Sequence, residues 1–195
     1  MKTIILASQS PRRSQLLEKA GISFQTLALS TSEFVDKKLI IDAQILSITR
    51  QKLEAAEKST KVLTSLSPVV ICADTEVVFE NKLQGKPNNK AHAQETLSKL
   101  SGKMHLVKTA YIIKDIETGW ELSHVETSLV YFKELSVKTI DDYVQTGEPM
   151  DKAGSYGIQG LGSHLIEKYD GLFSNIVGLP IEKLIPHLQL LKVTE

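Results

Sequence analysis

The run Val69-Val70-Ile71-Cys72-Ala73, preceded by Pro68, restricts the fold more than any other stretch of the chain. Five apolar residues without alternation describe a central strand buried on both faces. The run meets Asp74-Thr75, yet apolar residues resume at Val77-Val78-Phe79, so Asp74 interrupts a strand rather than ending one. In open α/β sheets ligands gather at the carboxyl ends of strands, where an aspartate is placed for metal binding or base catalysis. The plainer reading is an aspartate capping a turn. A carboxylate buried at this point needs a partner cation. Glu76 shares the face of Asp74 by the two-residue period, either as a second carboxylate or as the solvated side of an edge.

The opening segment has the same logic on a smaller scale. Ile4-Ile5-Leu6-Ala7 reads as a buried strand that breaks at Ser8-Gln9-Ser10-Pro11, before an amphipathic helix with Leu16, Leu17 and Ala20 stops at Gly21. Ser10 is a natural N-cap and Pro11 a natural first helical residue. Such a strand, turn and helix start aims unpaired N–H groups and the positive dipole end at one spot, an arrangement that holds phosphate. Arg12 and Arg13 oppose that dipole unless an anion sits between them. These residues alone serve two readings equally, a phosphate-holding turn and an ordinary capped helix with solvated arginines.

Residues 22–29 alternate as a strand, and residues 42–59 have helical periodicity, with Ile45, Ile48, Thr49, Leu53 and Ala56 on one face. Lys52 lies on that apolar stripe, where its amine either snorkels to water or faces an anion in a cleft. Glu33, in a polar loop, has no pattern to explain it. Glu80-Asn81-Lys82 suggests a hairpin turn, and Gly85-Lys86-Pro87 holds a lysine between two backbone punctuators. Residues 89–100 read as a helix, residues 105–113 and 120–132 as a long antiparallel hairpin, and residues 136–146 as a short helix. From 151 to 162 the chain reads DKAGSYGIQGLG. Its glycines disfavour strand or helix and allow backbone to approach a ligand. Asp151 and Lys152 offer a base or metal ligand and an anion contact, or simply begin a surface loop. The tail alternates over 164–169 and ends in an apolar helix from Pro180, with a bend expected at Pro186.

A chain of 195 residues can bury a full core as one domain, here expected to be bilobed. Lys plus Arg and Asp plus Glu number 23 each, so no global field attracts nucleic acid or an acidic membrane. The single cysteine, Cys72, excludes an internal disulfide and fits a reducing compartment. The first apolar segment is too short for a signal peptide and no run reaches membrane-spanning length, so a cytoplasmic protein is expected. The five histidines show no zinc-ligand spacing.

Several pieces together carry a resemblance: LASQSPRR, Glu33, Lys52 within ITRQKLEA, ADT at 73–75, GKP at 85–87, SGKMH at 101–105, DKAGSYGIQG at 151–160 and NIVGLP at 175–180. In this order they resemble the Maf family of nucleoside triphosphate pyrophosphatases along essentially the whole chain. The resemblance implies an α/β fold with a mixed, strongly twisted sheet, flanking helices and two lobes around a cleft, related to inosine triphosphate pyrophosphatases. It implies hydrolysis of a nucleoside triphosphate to monophosphate and pyrophosphate with Mg²⁺ or Mn²⁺, in a house-cleaning role. SPRR, ADT and GIQG match the branch associated with dTTP, UTP and modified uridine nucleotides, whereas the 7-methyl-GTP branch differs at all three places. On this resemblance Ser8, Arg12, Arg13, Lys52 and Lys86 hold the triphosphate. Glu33 and Asp74 bind the metal, Asp74 orients or deprotonates the attacking water, and Thr75 and Gln159 lie near the base. Glu76 departs from the family, where an aliphatic residue is usual. A homodimer is expected, with no nucleic-acid or membrane partner. A nucleotide-binding regulator of septum formation without turnover is the alternative.

Overall fold

The computed structural model describes residues 2–31 and 34–191 of the 195. Strand β1 spans Thr3–Ala7 and helix α1 spans Pro11–Lys19, ending ahead of Gly21, whose φ of +72° is the left-handed conformation glycine adopts without strain. The strand expected over 22–29 is reduced to β2, Gln25–Thr26. It pairs only as Ile5↔Gln25 and Leu6↔Thr26, and Ile22 packs into the core instead. Helix α2, Ile41–Glu57, matches the periodicity, but a separate short helix α3, Thr60–Leu63, starts at Ser59, whose hydroxyl accepts the Val62 N–H.

Strand β3 runs unbroken from Pro68–Phe79, straight through Asp74. Glu80 and Asn81 both take positive φ, as a two-residue type I′ turn requires, and return the chain to β4, Lys82–Leu83. Helix α4, Lys90–Leu100, is capped by Asn89. The long hairpin is β5, Met104–Asp115, and β6, Glu121–Phe132. Helix α5, Val137–Gln145, is capped by Ser136. The glycine-rich stretch corrects the expectation of neither strand nor helix. It is built from 3₁₀ turns at Glu148–Asp151, Ala153–Ser155 and Gly160–Leu165. Strand β7, Ile166–Asp170, then leads to a short helix α6, Phe173–Val177, and to α7, Ile181–Leu190, which contains Pro186.

Among the described residues seven strands pair in the order β2-β1-β3-β5-β6-β7, with β4 on β3. β1 is parallel to β2 and β3, while β4 and β7 are antiparallel to their neighbours. The expected mixed α/β architecture is therefore borne out. Among the described residues no helix is long and apolar enough to cross a membrane.

The chain divides into two compact units. The first takes Met1–Asp74, Thr109–Glu126 and Gly178–Glu195. Here the two-residue period of β3 separates two cores. Val69, Ile71 and Ala73 pack with Leu17 of α1 and with Leu184 and Leu188 of α7. Val70 and Cys72 pack with Leu53 and Ala56 of α2. The unbroken apolar run is thus explained by helices on both faces. The second unit takes Thr75–Lys108 and Thr127–Val177. Its core joins Val77 and Phe79 to Leu97 and Leu100 of α4, Ile140 and Val144 of α5, and Tyr156 and Leu165 of the glycine-rich stretch.

Candidate active site

In the first unit, the parallel register ends at Ala7↔Cys72. Asp74, two residues further along β3, therefore lies at the level of the turn that carries Ser8. Its side chain shares a face with Val70 and Cys72, the face covered by α2. Lys52 sits one residue before Leu53 on that helix, and its ammonium donates to Asp74 Oδ1. Both side chains are largely buried, at 15% and 9% exposure. The partner cation that a buried aspartate requires is therefore Lys52. The second oxygen, Asp74 Oδ2, is buried and has no hydrogen-bond partner among the described residues. A buried carboxylate oxygen left over after its sister is ion-paired fits a hard cation, which takes oxygen ligands. Glu33, the other expected metal ligand, lies outside the described residues.

The opening turn is held by one of its arginines. Arg13 donates from Nε to the Gly178 carbonyl at 2.8 Å and from Nη1 to Ser8 Oγ at 3.1 Å, and Ser8 Oγ also accepts the Ser10 N–H at 3.2 Å. Ser10 stands at the N-cap as expected, but its hydroxyl makes no cap bond, and the first turn of α1 carries no acidic residue. Ser8 and Arg13 thus touch directly, and Arg12, beside them, is half-buried. Burial pushes the Cys72 thiol up to about 12, against the opposing charges of Lys52 and Arg13.

In the second unit, the Gly154 N–H donates to the Gly85 carbonyl at 2.8 Å, which brings the Gly85-Lys86-Pro87 segment against the start of the glycine-rich stretch. Lys86 and Gln159 are exposed, and Thr75 is half-buried. Lys152 turns inward and donates to the Glu148 carbonyl at 2.6 Å and to Asp151 Oδ1 at 2.8 Å. Asn175, from the NIVGLP segment, is buried and donates to the Val107 carbonyl and Ser128 Oγ. Glu148 is the residue that the sequence reading passed over. Its carboxylate accepts from Tyr143 Oη at 2.9 Å and from the N–H groups of Leu161 and Gly162 at 3.0 Å each. Burial pushes this carboxyl up, but the Gly162, Leu161 and Tyr143 donors outweigh it and hold it below its ordinary value. Its place between Gly147 and Pro149, just before the glycines, was the only available signal.

A parallel strand β1 that leads through Ser8 to two arginines, beside a lysine-paired aspartate within β3, belongs to a mixed α/β protein. The family model described as Maf-like protein matches residues 3–191, and the chain belongs to this family. It is similar to the dTTP/UTP pyrophosphatase of Bdellovibrio bacteriovorus, 48% identical over 92% of this chain and 93% of that one. It is also similar to the dTTP/UTP pyrophosphatases of Fusobacterium nucleatum, 41% identical over 95% and 94%, and of Caldicellulosiruptor saccharolyticus, 40% identical over 97% and 94%.

Proposed function

We propose that the protein hydrolyses dTTP and UTP, together with modified uridine or cytidine triphosphates, to the monophosphate and pyrophosphate. The observation that carries this reading is near full-length similarity to proteins named for that reaction. The buried Lys52–Asp74 pair supplies a chemistry consistent with it.

In this reading Ser8, Arg12 and Arg13 bind the triphosphate, with Arg13 and Ser8 already joined. Lys52, whose ammonium donates to Asp74 Oδ1, adds its positive charge to the phosphate-binding group. Lys86 adds a further phosphate contact, and Thr75 and Gln159 keep the roles beside the base. Asp74 orients the attacking water and accepts its proton. Asp74 and Glu33 are the residues that would hold Mg²⁺ or Mn²⁺, which when bound neutralises phosphate charge and acidifies water. The protein is further proposed to be a cytoplasmic homodimer without a nucleic-acid partner.

One assay tests the reading: incubation with dTTP, UTP and 7-methyl-GTP under Mg²⁺ or Mn²⁺, with separate detection of phosphate and pyrophosphate. Pyrophosphate as first product from dTTP and UTP is expected. Orthophosphate as first product, a preference for 7-methyl-GTP, or nucleotide binding without turnover would each overturn it.

A further inference from the structure

We infer that Glu148 is a positioning residue for nucleobase selection, its carboxylate clamping the loop that carries Gln159. The inference rests on the role proposed above for Gln159 and deepens it. Glu148 Oε1 accepts from Tyr143 Oη and the Gly162 N–H, and Oε2 accepts the Leu161 N–H. Tyr143 Oη in turn accepts the Gly157 N–H at 3.2 Å. The backbone is therefore pinned at 157 on one side of Gln159 and at 161 and 162 on the other, leaving Gln159 exposed between the pins.

The two pinned ends lie against each other. A Cβ on Gly162 would stand 2.7 Å from Tyr143 Oη and 2.9 Å from the Gly157 nitrogen, so only a glycine permits the closure. On the other side, Lys152 fills the space beside Gly157, where a Cβ would meet its Cε at 2.9 Å. A side-chain amide discriminates among bases only when its donor and acceptor are presented at a fixed angle, and a surface loop supplies that only if its stem is rigid. The clamp makes this stem rigid.

The chemistry also specifies a carboxylate. All three groups facing Glu148 are donors, and an ionised carboxylate is an acceptor at both oxygens. Glutamine at this position keeps the shape but sets its NH₂ against a donor. Glu148→Gln is therefore the informative substitution, and Tyr143→Phe, which keeps the ring and removes the shared hydroxyl, is the second.

The experiment compares wild type, Glu148→Gln, Tyr143→Phe, Gln159→Ala and the Glu148→Gln/Gln159→Ala double variant. Steady-state kinetics on dTTP, UTP and dGTP are paired with thermal melting. In Glu148→Gln, KM for dTTP and UTP is expected to rise about tenfold with kcat within about threefold, and the preference over dGTP to shrink by a similar factor. The double variant is expected to lose little beyond either single one, because both act through one loop. If Glu148→Gln does not fold, Tyr143→Phe carries the same expectation in smaller measure. Unchanged KM and preference, or an equal fall of kcat on all three nucleotides, overturns the positioning role while wild-type turnover of dTTP stands. A wild type inactive on dTTP and UTP overturns the nucleotide reading itself, and the inference with it.

Discussion

Asp74 is at once part of the central strand and the residue on which the proposed chemistry turns. It sits inside a twelve-residue strand, buried, with Lys52 on one oxygen and, among the described residues, no hydrogen-bond partner on the other. Replacing Asp74 by Asn is expected to lower turnover of dTTP by about 10²–10⁴-fold, the range for loss of a general base, in a protein that still folds. Near-normal turnover removes Asp74 from that role. Lys52→Met behaves differently, because it strands a buried carboxylate without its cation. A destabilisation of about 3 kcal/mol is expected, read from urea unfolding, with the Lys52→Met/Asp74→Asn double variant recovering part of it. Cys72 is buried with its thiol pushed up to about 12, so a thiol reagent at neutral pH should label it only after unfolding.

At the level of elements, the segment from 148 to 165 is where sequence reasoning ran out. The glycines point to a loop, while Tyr156, Ile158 and Leu161 hint that part of it packs, and Ile158 does pack against the core. The hint fits Tyr156, which is buried, and not Leu161, which is 56% exposed. What the spacing could not disclose was that a carboxylate nine residues earlier than Gly157 organises it, since that contact depends on the chain folding back on itself. Gly162→Ala should cost about 1–3 kcal/mol by urea unfolding, through overpacking against Gly157 and Tyr143. A neutral outcome would show that the loop yields easily. Strand β2 is the opposite lesson: residues 22–29 alternate convincingly, yet only two of them find a ladder partner. Alternation marks which side chains can share a face, while pairing depends on a neighbour of matching length.

For the whole molecule, the pH dependence of stability follows from the buried titratable groups. His105 is buried beside Tyr156, with Nε2 and the tyrosine hydroxyl 2.7 Å apart, and burial lowers its pKa to about 4. The unfolded chain binds this proton below about 6.5, so stability is complete above that value and is lost as the pH falls towards 4. The loss is about 3 kcal/mol by the bottom of that window. Glu121 adds to the fall at lower pH, because its bonds to Arg50, and then Lys114, hold its carboxyl below the ordinary value despite burial. That stabilisation is present above the unfolded carboxylate value and disappears as the pH drops through the folded one. Urea midpoints measured from pH 7 to 4 should therefore decline steadily, and a flat profile between 6.5 and 4.5 would contradict the assignment of His105 as a buried neutral imidazole.

The sequence by itself determined the periodic elements and the chemistry-bearing residue types. A five-residue apolar run had to be a strand covered on both faces, Ser10-Pro11 had to open a helix, and an aspartate inside a buried strand had to find a cation. Each of these follows from local sterics or from the cost of desolvating a charge, which act over a few residues and can be read in order. Only the tertiary structure decided which cation answered Asp74, which carbonyl Arg13 reached, and what held the glycine stretch. Lys52 lies 22 positions from Asp74, Gly178 lies 165 from Arg13, and Glu148 lies 13 from Leu161. The choice among the many lysines and carboxylates of the chain is made by which helix packs on which face of which strand, a property of the packed core and not of any window of sequence.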